Sequence, residues 1–157
     1  MKRKYTKSAL LLNEIQNEYF YKGKMEFPGS YETASIAKQT LNAFRKKRIT
    51  VIHLQHISIH KNASHFLAGT YGAKIFEEVL PIEGEIVITK NSSNGFIETN
   101  LLEYLKKNQI ENLTVVGMMD DMSNDLTVRA AKDLGFNVEL IENKKANEKE
   151  KTPQKCF

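Results

Sequence analysis

The stretch GMMDDMSND (117–125) sits between an apolar run and a helical pattern, and it contains neither cysteine nor histidine. What it offers is Ser123, a hydroxyl at the start of a helix, preceded by Asp120 and Asp121. Two other chemistry-bearing residues close apolar runs elsewhere: Glu14 follows SALLLN and Lys90 ends GEIVITK. An acid, a cation and a hydroxyl are the residue types that move a proton and steady negative charge, provided that a fold brings them together.

The elements needed to do so are legible in the pattern. SALLLNEI (8–15), ITVIHLQHI (49–57), GEIVITK (84–90), NLTVVGMM (112–119) and FNVELIE (136–142) read as five strands, short and rich in branched apolar residues. ETASIAKQTLNAFRKKR places Ile36, Thr40, Leu41 and Phe44 at helical spacing and ends in cations, which suit a helix C-terminus. TNLLEYLKKNQ (99–109) and SNDLTVRAAKDLG (123–135) read as further helices, the second closed by Gly135. The span from Ser58 to Pro81 reads mostly as loop. Strands alternating with helices predict a three-layer α/β/α sandwich around a mostly parallel sheet of about five strands. Ligands then sit at the carboxyl ends of the strands, where Asn13, Glu14, Lys90 and the residues from Met118 to Ser123 fall.

Composition narrows the class. The 157 residues fit one domain, assigned here to 1–142, with 143–157 as a polar tail that reads as disordered. No apolar run approaches the length of a membrane span, and MKRKYTKSALLL is too short a pattern for a secretory signal, so the expected compartment is the cytoplasm. The net charge of +4 is spread along the chain without a reader motif, which argues against nucleic acid as a partner. The single cysteine, Cys156, is the penultimate residue and reads as incidental.

At this point the chain resembles the isochorismatase-like cysteine hydrolases, from about ALLLNEIQNEYF to LGFNVELIE. The Asp-Met-Gln-Asn-Asp-Phe type motif of that superfamily stands here as Glu14-Ile15-Gln16-Asn17-Glu18-Tyr19. GTYGAKIFEEVLPIEGEIVITKNSSNGF resembles the stretch leading to the active-site lysine, which falls on Lys90. NLTVVGMMDDMSNDLTVRAAKDLGF resembles the nucleophile strand and helix, with Ser123 at the position of the catalytic cysteine. The resemblance implies a thiolate attacking an amide or ester carbonyl, a carboxylate accepting the thiol proton and a lysine favouring negative charge. It also implies an oxyanion turn at Met118, Met119 and Ser123 with a cis peptide at Met118–Met119. A substrate pocket touched by Phe20, Phe96, Met119 and Asp120 is expected, with a small amide or ester as ligand. Neither cofactor nor metal is called for, and a homo-oligomer of two or more copies is implied.

The departures all bear on the chemistry. Ser123 replaces the thiol, and a hydroxyl is a weak nucleophile without a well-placed base. Glu14 replaces aspartate and is one methylene longer. Asp120 and Asp121 put negative charge where an anion must form, and Asn124 replaces an apolar residue. These changes predict a catalytically impaired family member acting as a binding or assembly protein. The competing readings are a working hydrolase in which Ser123 attacks, Glu14 is the base and Lys90 steadies charge, and an engineered cysteine-to-serine variant of a cysteine amidohydrolase.

His53 and His56 in HLQH stand three apart on a strand, so they point to opposite faces and cannot share an ion directly. They read as structural or pocket-lining residues. Met118, Met119 and Met122 read as packing, and Phe96 serves equally as core filling.

Overall fold

The computed structural model describes residues 7–119 and 122–143. Five strands form one sheet: β1 (Ser8–Asn13), β2 (Thr50–His56), β3 (Ile86–Lys90), β4 (Asn112–Gly117) and β5 (Asn137–Leu140). Their order is β3-β2-β1-β4-β5, and every adjacent pair is parallel. The order reverses at β1, whose neighbours are β2 on one side and β4 on the other, so a crevice opens there at the carboxyl ends.

Side-chain alternation along β1 builds both cores. Leu10 and Leu12 face helix α1 (Ser30–Lys46) with Ala34, Ala37 and Leu41. Ala9 and Leu11 face the opposite layer, where α2 (Leu101–Lys107) supplies Leu101 and Leu105 and α3 (Leu126–Asp133) supplies Val128 and Ala131. This is the predicted α/β sandwich. The buried stripe of α1 runs through Thr33, Ala34, Ala37 and Leu41, while Ile36 and Thr40 are only half-buried. Alanines at the contact let the helix lie close to the sheet.

The expected elements hold, with shifted ends. β1 stops at Asn13 because Glu14 takes a left-handed backbone (φ 59°). β3 starts at Ile86 because Gly84 (φ 89°) and the Glu85 N–H to Ile82 carbonyl bond form a turn. The helix expected from Ser123 begins at Leu126 instead, preceded by a 3-10 turn over Met122–Asn124. Asp125 is the N-cap and accepts from the Val128 N–H at 3.1 Å, so its side chain sets the start. Of the polar tail, all residues from 144 onward lie outside the described residues, as does the pair Asp120–Asp121.

The long segment after β2 is held by three consecutive buried residues. The Gln16 amide donates to the carbonyls of His56 (2.9 Å) and Ala73 (2.7 Å) and accepts from the His56 N–H (2.8 Å). Asn17 donates to the Tyr71 carbonyl, and the Glu18 carboxylate accepts from the N–H groups of Phe66 and Lys24. Gly72 leaves room for this carboxylate: a Cβ there would lie 2.3 Å from Glu18 Oε2 and would displace it from these N–H groups. Gln16→Ala leaves these buried backbone groups unmet, and we expect a loss of about 2–3 kcal/mol in urea unfolding with faster proteolysis between residues 57 and 76.

A second polar cluster fixes β3. Glu85 accepts from Arg45 of α1 (2.6 and 3.0 Å) and from His53 of β2 (2.8 Å). Burial pushes His53 below its ordinary 6.5, although Glu85 pulls the other way, so the imidazole is neutral and donates through Nε2. Burial alone would raise Glu85, but hydrogen bonds from Arg45, His53 and the Ile82 N–H outweigh it and hold the carboxyl below 4.5. Both folded values lie below the unfolded ones. The resulting stabilisation is therefore complete above pH 6.5 and is lost as pH falls, through His53 first and Glu85 next. Urea unfolding between pH 7 and 4 should show this decline, with a shallower slope in the His53→Gln/Glu85→Gln double variant.

Candidate functional site

The site is assembled from four strand ends and one helix start. Glu14 leaves β1 in its left-handed conformation while its N–H still bonds to the Leu54 carbonyl at 3.0 Å. That bond holds the residue against β2 and turns its side chain to the crevice. Lys90, the last residue of β3, is 1% exposed, and its Nζ lies 3.0 Å from Glu14 Oε1. The ammonium also donates to the carbonyls of Ser92 and Ser93, each at 3.3 Å. His56 Nδ1 faces the same Glu14 oxygen at 3.5 Å, and the Tyr19 hydroxyl donates to Glu14 Oε2 at 3.4 Å.

A second carboxylate completes the arrangement. Asp125 is 7% exposed, and its Oδ2 accepts from Asn13 Nδ2 at 3.1 Å, which ties α3 to the end of β1. Gly117 makes this approach possible, since a Cβ there would sit 2.8 Å from the Asn13 carbonyl oxygen. Burial pushes the Asp125 carboxyl up, against the lowering effect of the Val128 N–H and of Lys90. Burial and then Glu14 push the Tyr19 phenol far up, so it stays a donor. Burial lowers His56 and Lys90 adds to this, with Glu14 opposing, so the imidazole is neutral near pH 7.

Between these groups lies an open cavity of about 460 Å³. Glu14, Tyr19 and Asp125 supply its polar lining together with Ser93 and Asn124, while Met118, Met119 and Leu126 supply apolar wall. Its volume suits a small organic molecule.

Of the expected site residues, Glu14 and Lys90 meet in an ion pair, and Met118 and Met119 line the cavity. Ser123 is exposed in the 3-10 turn, one residue before the cavity-lining Asn124. The Met118–Met119 peptide is trans, and no peptide bond among the described residues is cis. Two aromatics expected at the pocket lie outside the lining of this cavity. Phe20 is buried in the α1 layer, stacked on Phe76 at 3.8 Å, because the 3-10 turn Asn17–Tyr19 presents Tyr19 to Glu14 and leaves Phe20 to the core. Phe96 packs on the opposite core beside Phe136. Asp120 lies outside the described residues. The two histidines diverge as their spacing requires, His53 to Glu85 and His56 to Glu14.

Asp125 is the residue that the sequence analysis missed. Its signal was present, an aspartate immediately before a run that includes Val128 three positions on, but a helix drawn from Ser123 hides an N-cap at Asp125.

Residues 8–146 match the isochorismatase domain. The chain belongs to the isochorismatase family. It is 38% identical over 135 residues to the uncharacterized isochorismatase family protein YddQ of Bacillus subtilis, covering 86% of this chain and 75% of that one. It is 30% identical to the secreted isochorismatase effector Isc1 of Verticillium dahliae, covering 86% and 70% respectively. Among solved structures, an isochorismatase from Pseudomonas putida superposes with a TM-score of 0.78 at 31% identity, over 88% of this chain and 70% of that one.

The ion pair makes an asymmetric prediction. Glu14→Gln strands the ammonium of a 1%-exposed lysine and should cost about 3 kcal/mol or more. Lys90→Met strands a carboxylate that is one-fifth exposed and within reach of water, so it should cost less. Urea midpoints of the two variants at pH 7 test the order.

Proposed function

We propose that this chain is an isochorismatase-family protein whose hydrolytic chemistry is impaired and whose cavity serves as a binding site. The observation that carries the reading is the state of Glu14. Its Oε1 is paired with Lys90 and its Oε2 accepts from Tyr19, so a carboxylate acting as base would have to share or give up these contacts to take a proton. The residue at the nucleophile's position is Ser123, whose hydroxyl stays protonated unless a base is set upon it. A longer acid arm bound at both oxygens and a weaker nucleophile act in the same direction.

A second reading, a working serine hydrolase of small amides or esters, draws support from the buried Lys90 and from the neutral His56 beside Glu14, both useful to such a site.

A panel of small amides and activated esters separates the two. The unaltered chain should match Ser123→Ala at background, while Ser123→Cys/Glu14→Asp should gain roughly a hundredfold, the scale on which small displacements of reacting groups act. Turnover by the unaltered chain that disappears in Ser123→Ala would establish the serine hydrolase instead.

A further inference from the structure

The charges and donors around the cavity point to a chemical class of ligand. We propose that the cavity takes a small organic ammonium ion with an apolar body. The inference rests on the cavity being a binding site, as read above.

Lys90 neutralises Glu14 and is itself spent, since its ammonium is directed at Glu14 Oε1 and at the carbonyls of Ser92 and Ser93. His56 is neutral near pH 7. Asp125 remains. It is nine-tenths buried, it lines the cavity, and the Val128 and Thr127 N–H groups and the Asn13 amide that bond to it are neutral donors. With Asp125 ionised, Glu14, Asp125 and Lys90 together carry one negative charge in excess, with Lys90 acting on both carboxylates.

The hydrogen-bonding balance has the same sign. Asn13 is 2% exposed and uses its Nδ2 on Asp125, while its Oδ1 is buried without a donor among the described residues. Asp125 and the Glu14 carboxylate thus offer acceptors on one cavity wall, while Asn13, bonded to Asp125, lies outside the lining. An ammonium carries three donors and no acceptor, which matches this set. A carboxylate ligand would meet two carboxylates and a lysine already bound elsewhere, and would bury like charges together. Met118, Met119 and Leu126 then accept the rest of the molecule, and methionine sulfur favours an aromatic body.

The test is calorimetric titration of the full chain with three probes of similar shape: phenethylammonium, 3-phenylpropanamide and 3-phenylpropanoate. Phenethylammonium should bind at least tenfold more tightly than the other two. Asp125→Asn keeps a capping acceptor but removes the charge, and should weaken phenethylammonium at least tenfold. Leu126→Lys places a cation on the half-exposed rim, and should weaken it as well with an unchanged thermal melt. Preference for the amide or the carboxylate overturns the ammonium assignment, as does an affinity unaffected by both substitutions or no measurable binding of phenethylammonium. Ester turnover by the same protein with the ammonium preference intact would sink the impaired reading alone. Carboxylate preference without turnover would sink the ammonium assignment alone.

Discussion

A buried lysine is the constraint around which this protein is arranged. Lys90 ends an edge strand, Glu14 directly follows the central one, and β2 lies between them, so their ion pair reaches across the top of β2 beside His56. Removing an ammonium from water costs several kcal/mol even after relaxation, and a single carboxylate rarely offsets this. Here the Ser92 and Ser93 carbonyls share the ammonium, and Tyr19 takes the second carboxylate oxygen. The left-handed Glu14 backbone is part of the same solution, because it aims the carboxylate back over β2 while its N–H remains bonded there.

The three residues after Ile15 follow from that turn. Once β1 has ended, Gln16, Asn17 and Glu18 are buried polar groups that must find partners, and they find them in the backbone of the segment between His56 and Lys74. The motif that resembles a catalytic signature is thus, for three of its residues, a structural clamp. This separates two fates within one motif. A scaffold of satisfied buried groups is expensive to alter, whereas an exposed serine in a 3-10 turn carries little of the packing, so chemistry can change there while the fold persists.

Beside the clamp stands a second polar cluster with a different task. Arg45, Glu85 and His53 join α1, the turn before β3 and the middle of β2. β3 is an edge strand with a neighbour on one side only, and this cluster pins the end of it opposite Lys90. The position of the lysine is therefore set from both ends of its strand.

The amino-acid sequence by itself determined the alternation of five strands and three helices, the parallel sandwich and the family. Those depend on periodicity and local propensity, which each segment carries within itself. It also put Glu14 and Lys90 at strand ends, hence near one another, because parallel sheets collect their carboxyl ends on one side. Tertiary structure decided what sequence spacing cannot express. Tyr19 rather than Phe20 meets Glu14, because a 3-10 turn rotates adjacent residues to different sides. Phe96 belongs to a core, because α2, α3 and β5 close over it with Phe136. Asp125 joins the site because a cap, a glycine strand end and an asparagine from a strand more than a hundred residues earlier converge at one point. Contacts of that range arise only when the sheet has ordered its strands, and no single segment holds the information to predict them.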